Sequence, residues 1–322
     1  MEELFSRILD EADAWARRNG LTYRADDQST VFVRNLVEQT LTKLYERKFE
    51  KARWLNDGLV PISTEVNEGA DTFGYQEIGD LGEADIISEA ATDFPMADIE
   101  GDYTIHKTHP VGTSFRYTTH DVRKARLQGR FDIVARKSAA ARRVWDKKID
   151  DLIIYGSKKH GFDGLSNAKN IRVDNLTTGD WATATAAQIL ADLDGVYSDI
   201  VNTTDGNEVP DTFVMPIAIY RRLSTLNWGT ASDISILDYL KKAFPEIKRW
   251  AWNPKLSTAA ADGTDAAMLY TNSAESLTVQ IPMPLRPLAP EQRGATFVVN
   301  LESRYGGLMV PMPLGISRFD NI

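Results

Sequence analysis

Few side chains in this sequence are placed for chemistry. Four histidines, His106, His109, His120 and His160, are the candidates for metal binding or proton transfer. His106 and His109 fall on an expected strand, where residues three apart point to opposite faces, which is poor geometry for two ligands of one ion. His120 and Asp121 stand where a helix is expected to begin. There is no cysteine, which excludes disulfides, thiolate chemistry, Cys-ligated zinc and iron–sulfur clusters. Gly156-Ser157-Lys158-Lys159 has the serine and lysine of a phosphate loop, but it follows a helical pattern and lacks the upstream glycine, so it reads as a turn. No Gly-x-Ser-x-Gly elbow supports a serine nucleophile. Carboxylates abound, yet nothing marks a pair as acid and base, which leaves a carboxylate-dependent hydrolase as a distant reading. No catalytic residue, cofactor site or metal site is expected.

Charge is the stronger signal. The 322 residues carry 37 Lys and Arg against 46 Asp and Glu, a net charge of −9. That balance disfavours tight nucleic-acid binding. Residues 55–106 contain thirteen acidic side chains and no Lys or Arg; residues 107–148 contain twelve basic and three acidic ones. Contact between the two blocks, across copies of the chain, is the expected chemistry. The acids Glu77, Asp80, Glu83 and Asp85 are expected to dock near Arg123, Arg126, Arg130 and Lys137 of an adjacent subunit.

The elements that must position these charges follow from periodicity. Leu4, Ile8, Ala12 and Trp15 predict one helix, and residues 30–51 a second. Their apolar stripes are too thin to bury a core of their own. The acidic block holds strand-like pieces around a polar segment, residues 79–96, and reads as a long two-stranded excursion. An isolated ribbon is marginal in water, so it must lie against something. Leu127, Phe131, Val134, Ala141, Trp145, Ile149 and Leu152 recur at helical spacing and predict one long helix. Thr118 with Asp121 resembles a capping box at its start, Gly129 is expected to kink or break it, and Gly156 to stop it. Further helices are expected over 186–201, 217–226 and 232–244. Strands are expected over 212–215, 248–252, 267–271, 277–281, 296–301 and 307–310. Prolines at 282, 284, 287, 290, 311 and 313 place the last strands at edges or bends. No run of about 18 apolar residues predicts a membrane span.

Several segments in order carry a resemblance. Tyr117-Thr118-Thr119-His120-Asp121-Val122-Arg123-Lys124-Ala125 opens the long helix. Asp150-Asp151-Leu152-Ile153-Ile154-Tyr155-Gly156 closes it, and Gly164-Leu165-Ser166-Asn167 follows. Farther on come Pro210-Asp211-Thr212-Phe213-Val214-Met215-Pro216, Ser235-Ile236-Leu237 and Arg304-Tyr305-Gly306-Gly307-Leu308-Met309-Val310. Together they resemble the major capsid proteins of tailed bacteriophages with the Hong Kong 97-type fold, and more narrowly a phage and prophage family once known only as a bacterial domain of unknown function.

The resemblance implies an α+β fold and a layout. Residues 1–58 would form an N-terminal arm. Residues 59–169 would form a peripheral domain, with an extended E-loop over about 65–103 and a spine helix over about 120–155. Residues 170–272 would form the axial domain. Residues 273–322 would complete the peripheral domain, and their last strand can return to the axial sheet. It also implies a non-enzymatic protein without cofactors that assembles with itself into pentamers and hexamers. The shell would enclose double-stranded DNA with weak, non-specific contact. It would be built in the bacterial host cytoplasm and become part of the virion, away from any membrane. A portal and a decoration protein are implied partners. The short arm leaves no room for an N-terminal scaffold segment, so scaffolding is expected from a separate protein. An encapsulin-like nanocompartment shell is the alternative.

Overall fold

The computed structural model describes residues 50–82, 85, 96–127, 133–176, 178–229, 233–260, 263–320 and 322. The chain divides into two units, Met1–Phe49 and Glu50–Ile322, and all described residues belong to the second. The first arm helix, most of the second, and Gly129 with its expected kink lie outside the described residues. The second unit begins within the segment assigned to the arm. Its first helix, α1 (Arg53–Asn56), buries Trp54 completely.

Strand β1 (Ile62–Ser63) leads to β2 (Thr72–Leu81), β3 (Asp98–Lys107) and β4 (His109–Thr118), then to helices α2 (Thr119–Leu127) and α3 (Ile133–Tyr155). A middle section holds β5 (Arg172–Asn175), α4 (Ala186–Thr203), β6 (Thr212–Met215), α5 (Ile217–Thr225), α6 (Ile236–Ala243) and β7 (Arg249–Trp252). A 3-10 turn (Pro254–Thr258) and β8 (Ala266–Tyr270) follow. The last section is β9 (Thr278–Gln280), β10 (Met283–Pro287), β11 (Glu291–Arg293), β12 (Thr296–Tyr305), β13 (Gly307–Met309) and β14 (Ile316–Asp320).

The capping box expected from the sequence is formed. Thr118 Oγ1 accepts from the Asp121 N–H at 3.0 Å, and Asp121 Oδ2 accepts from the Thr118 N–H at 3.2 Å. These bonds satisfy donors that the start of α2 would otherwise leave orphaned. Helix α3 ends at Gly156, whose φ of +61° suits glycine, and the chain turns back tightly there. A Cβ on Gly156 would lie 2.4 Å from the Phe162 carbonyl oxygen, and one on Gly164 would lie 2.4 Å from the Ile154 carbonyl oxygen. The close approach lets the N–H groups of Leu165 and Ser166 donate to the carbonyls of Ile153 and Ile154 at 2.8 and 2.9 Å. The turn reading of Gly156-Ser157-Lys158-Lys159 therefore holds.

Two sheets fix α3. Strand β12 pairs antiparallel with β4 over ten residue pairs, and β10 and β11 share its other edge. Pro284 and Pro287 sit in β10, an edge strand with an irregular register, where a missing donor is tolerated. The buried Trp145 of α3 donates from Nε1 to Ser303 Oγ of β12 at 2.6 Å, and the Ser303 hydroxyl in turn donates to the Val111 carbonyl of β4 at 2.8 Å. A small sheet of β1, β9 and β13 lies in the same core.

The second large sheet has the order β5-β14-β8-β6-β7 and is covered on both faces. Strict alternation divides it. Phe213, Met215, Ala267, Leu269 and Phe319 join the core with α4, α5 and α6. Val214, Ala266, Met268, Tyr270 and Ile316 join the core that holds α3. Strand β14, beyond the last expected strand, enters between β5 and β8. The expected helix over 232–244 begins later, because Ser235 caps it by accepting from the Asp238 N–H at 3.1 Å. Ile234, just ahead of that cap, is 39 % exposed.

Candidate assembly interface

The two-stranded excursion is a ribbon. Strands β2 and β3 pair antiparallel over ten residues, from Thr72 opposite Lys107 to Leu81 opposite Asp98. Residues directly opposite share a face, so the register sorts the side chains. One face carries Glu77 opposite Asp102, Glu100 opposite Gly79, and Asp98 at the far end. The other carries Ile105 opposite Gly74, Tyr103 opposite Gln76, Ile78 opposite Gly101, and Ile99 opposite Asp80. Ile78 and Ile99 are each 68 % exposed, Ile105 63 % and Tyr103 56 %. The Tyr103 ring lies across Gly74, where a Cβ would come within 2.4 Å of the phenol oxygen. The ribbon is thus acidic on one side and apolar on the other, and the apolar side faces solvent.

The foot of the ribbon is anchored. The Thr108 N–H donates to the Asp71 carbonyl at 2.9 Å, and Arg304 pairs with Asp71 at 2.7 Å. His106 stacks against Phe73 and Tyr75, with ring centroids 5.4 and 5.7 Å away. Burial holds the His106 imidazole below its ordinary pKa; Asp163 opposes that shift and Lys169 adds to it. Burial, helped by Glu77, pushes the Tyr75 phenol up to about 12. A cleft of about 270 Å³ at this foot is lined by Tyr75, Glu77, Asp102, His106, Asp163 and Lys169. His106 and His109 lie on separate strands on either side of the buried Thr108, rather than on the one strand expected. His109 instead meets His160 edge to face at 5.3 Å. Among the described residues, no group of three or more His, Asp or Glu is arranged to hold a metal.

The expected docking residues are placed as follows. Glu77 is half-buried on the acidic face, and Asp80 is described only by its backbone in β2. Asp85 is exposed, and Glu83 lies outside the described residues. Arg123 is exposed on α2, Arg126 is described only by its backbone in α2, and Arg130 lies outside the described residues. Lys137 is engaged within its own chain, donating to the Arg116 carbonyl at 2.8 Å and lying 3.4 Å from Asp121. That contact, after the backbone hydrogen bond from Thr118, holds the Asp121 carboxyl below its usual range.

Helix α3 has two faces. Ala141, Trp145, Ile149 and Leu152 are buried, as the apolar periodicity predicts. On the solvent side, Arg136, Ala140, Val144 and Lys148 follow one another at four-residue spacing, and all four are exposed. The helix is also tied to the start of the compact unit. Asp150 is fully buried; its Oδ1 accepts from the Trp54 N–H at 2.8 Å and its Oδ2 from Lys255 Nζ at 2.7 Å. Lys255 also reaches Asp151 at 2.7 Å. Burial opposes the charge on Lys255, but Asp150 and Asp151 together hold its pKa above the ordinary value. Sequence reasoning missed both this knot and the apolar ribbon face. The second was readable, because Asp98, Glu100 and Asp102 alternate with Ile99, Tyr103 and Ile105.

A body with a long tied helix, a two-sided sheet and a projecting amphipathic ribbon is the architecture of a shell subunit of the Hong Kong 97-type fold. The model of the major capsid protein family matches residues 82–322, three quarters of the sequence, and the chain belongs to that family. It is a phage head shell protein, and its role is structural. The capsid of Myoviridae phage XM1 is similar over 90 % of this chain and 98 % of that one, with a TM-score of 0.76 and 18 % identity. The capsid of a native GTA particle is similar over 92 % of this chain and 99 % of that one, with a TM-score of 0.62 and 11 % identity. A virus-like particle from Pyrococcus furiosus is similar over 81 % of this chain and 90 % of that one, with a TM-score of 0.53 and 13 % identity. At these identities the likeness establishes the fold. No curated protein sequence matches the chain. Among the described residues, no helix is long and apolar enough to cross a membrane.

Proposed function

We propose that copies of this chain form pentamers and hexamers that tile an icosahedral shell around double-stranded DNA. The observation that carries this reading is the ribbon. Its acidic strands have no cation of their own over residues 55–106, and its other face exposes four large apolar side chains. Such a ribbon needs a partner surface, and the basic segment that follows it in every copy supplies the charge complement. In this reading residues 1–58 act as the N-terminal arm and β2–β3 as the E-loop. Helices α2 and α3 form the spine of the peripheral domain, and the sheet containing β14 belongs to the axial domain. Glu77, Asp80, Glu83 and Asp85 reach the basic region of an adjacent copy, including Arg123, Arg126, Arg130 and Lys137. Each exposed pair contributes only about 0.2–1 kcal/mol, but the set recurs in every subunit, so its sum governs register and salt response. The net charge of −9 leaves the packaged DNA weakly held. Scaffolding, portal and decoration proteins complete the particle, which is assembled in the host cytoplasm.

Sedimentation and cryo-microscopy of the purified chain test this reading. Pentamers, hexamers, shells, tubes or sheets are expected. A monomer that persists across a wide range of concentration and salt would refute it. Changing the four acids to Asn or Gln should weaken assembly and flatten its salt dependence; no change in either would remove the electrostatic part.

A further inference from the structure

We propose that His109 and His160 form a binding site for a divalent transition-metal ion of the zinc and nickel class, at the corner from which the ribbon projects. The two imidazoles meet with ring centroids 5.3 Å apart and planes at 66°. That separation is the one a shared ion requires. With Zn–N bonds of about 2.0–2.1 Å and a ring centroid roughly 1.2 Å behind each nitrogen, two imidazoles on one tetrahedral ion have centroids about 5.2 Å apart. The pair joins a strand to a distant turn, so sequence spacing does not show it.

Both rings are held in place and chemically free. His109 opens β4 opposite Tyr305 of β12, at the end of a ten-residue ladder. Phe162 meets the His109 ring at 90° with centroids 5.3 Å apart, and Tyr305 backs Phe162 at 5.1 Å. His160 lies in the turn after α3. The Ser157 N–H donates to the Phe162 carbonyl at 2.8 Å, and the N–H groups of Phe162 and His160 donate to the Ser157 carbonyl at 3.1 and 3.0 Å, which closes that turn. Among the described residues, no hydrogen bond or ion pair occupies either imidazole. The χ2 torsion of histidine is broad, and rotation about it leaves the ring centroid nearly in place. A nitrogen of each ring can therefore be turned to a common point without moving the backbone. Imidazole suits zinc, copper and nickel. His109 is half-buried and His160 exposed, so water reaches the remaining coordination positions. An ion bound here ties the first residue of β4 to the turn behind α3. Its neighbour Thr108 holds the ribbon foot through the Asp71 carbonyl at 2.9 Å, so the ion braces that corner.

The other two histidines are internal controls. His106 stacks on Phe73 and Tyr75, and His120 is exposed on α2. The full chain, without an affinity tag and stripped with a chelator, is titrated with zinc chloride and then with nickel chloride. Calorimetry should show one ion per chain in the micromolar range. In NMR spectra of the histidine rings, two of the four imidazoles should shift together. His109→Gln and His160→Gln should each weaken binding at least tenfold, and His120→Gln should leave it unchanged. Zinc should slow amide exchange at residues 108–111 and 157–162 but not at residues 278–281. No saturable binding up to millimolar ion, shifts confined to His106 or His120, or binding that survives both single variants would overturn the proposal. Should a variant fail to fold by circular dichroism, the ring signals and amide exchange of the unmodified chain decide. Zinc that leaves His109, His160 and their two segments unaltered would overturn it. None of these outcomes bears on the shell reading, which sedimentation tests separately.

Discussion

Replacing Lys255 with Met should destabilise the folded chain far more than its position near the surface suggests. Asp150 has a side chain 1 % exposed, and Lys255 lies 2.7 Å from it with 10 % exposure. Removing the cation leaves a buried carboxylate held only by backbone N–H groups, those of Trp54 at 2.8 Å and Leu55 at 3.4 Å. Breaking a buried pair from one side costs about 3–5 kcal/mol, because the remaining charge keeps its desolvation penalty. In a unit of this size one kcal/mol moves the melting point by about 2–4 °C, so a drop on the order of 10 °C is expected at pH 7.5. Asp151→Asn is the matched control. It touches the same ammonium but is 37 % exposed, so it should cost no more than about 1 kcal/mol. The pH response separates a lost charge partner from lost packing. Burial already raises the Asp150 carboxyl, and without Lys255 it rises further. The folded variant then holds a proton that the unfolded chain releases down to about pH 4. Its deficit against the unmodified chain should therefore shrink as pH falls from 7.5 towards 5. Calorimetry on the unassembled chain reads all of this. A Lys255→Met variant melting within about 2 °C of the unmodified chain, or a deficit that does not change with pH, would refute the reasoning.

Two further expectations follow from the ribbon and its foot. Residues 55–106 contain no Lys, and the chain has no Cys, so that loop offers no ε-amine for an isopeptide and no thiol for a disulfide. Mature particles boiled in SDS should run as one band at the monomer position, and a covalent ladder with a bond mapped to those residues would contradict this. His106, held below its usual pKa by burial, costs the folded ribbon foot stability as pH drops below about 6.5, where the unfolded imidazole takes up a proton. Amide exchange at residues 72–75 and 104–107 should quicken below that pH in the unmodified chain but not in His106→Phe. Identical profiles would remove His106 from the account.

Much of the fold was legible because its signals are local. The Thr118–Asp121 box, Gly156 and the Trp145–Ile149–Leu152 stripe each act within a turn or two of helix, and each appears where the sequence predicts it. The long helix is described as α2 and α3, with residues 128–132 between them outside the described residues. Strand β14 was not legible. Ile316-Ser317-Arg318-Phe319-Asp320 places an arginine in a buried strand, which is tolerated only because Arg318 reaches the Ser166 carbonyl, 152 residues earlier, and Asp320 at 2.7 Å. The Lys255–Asp150 knot is equally remote, joining residues 105 apart. At the candidate interface the acidic run drew attention to charge. The alternation of Ile99, Tyr103 and Ile105 with those acids was present in the same stretch and defines the other face. The functional family was legible from the order of segments rather than from any single motif.

The position of β14 has a consequence for when the subunit becomes usable. Among the described residues, strand β5 pairs with β14 alone, and β14 also lines the edge of β8. Residues 172–175 therefore wait for residues 316–320 before their sheet can close. Long-range pairing of this kind is slow, since the intervening chain must be gathered first. The β2–β3 ribbon draws its strand partners from neighbours in sequence, so its pairing can begin well before the sheet behind it closes, although its foot still awaits Arg304. The exposed apolar side chains of the ribbon are thus made before the part of the molecule that will orient them has closed. Fidelity in building the shell then depends on a race between closing that sheet with the last strand and meeting another copy.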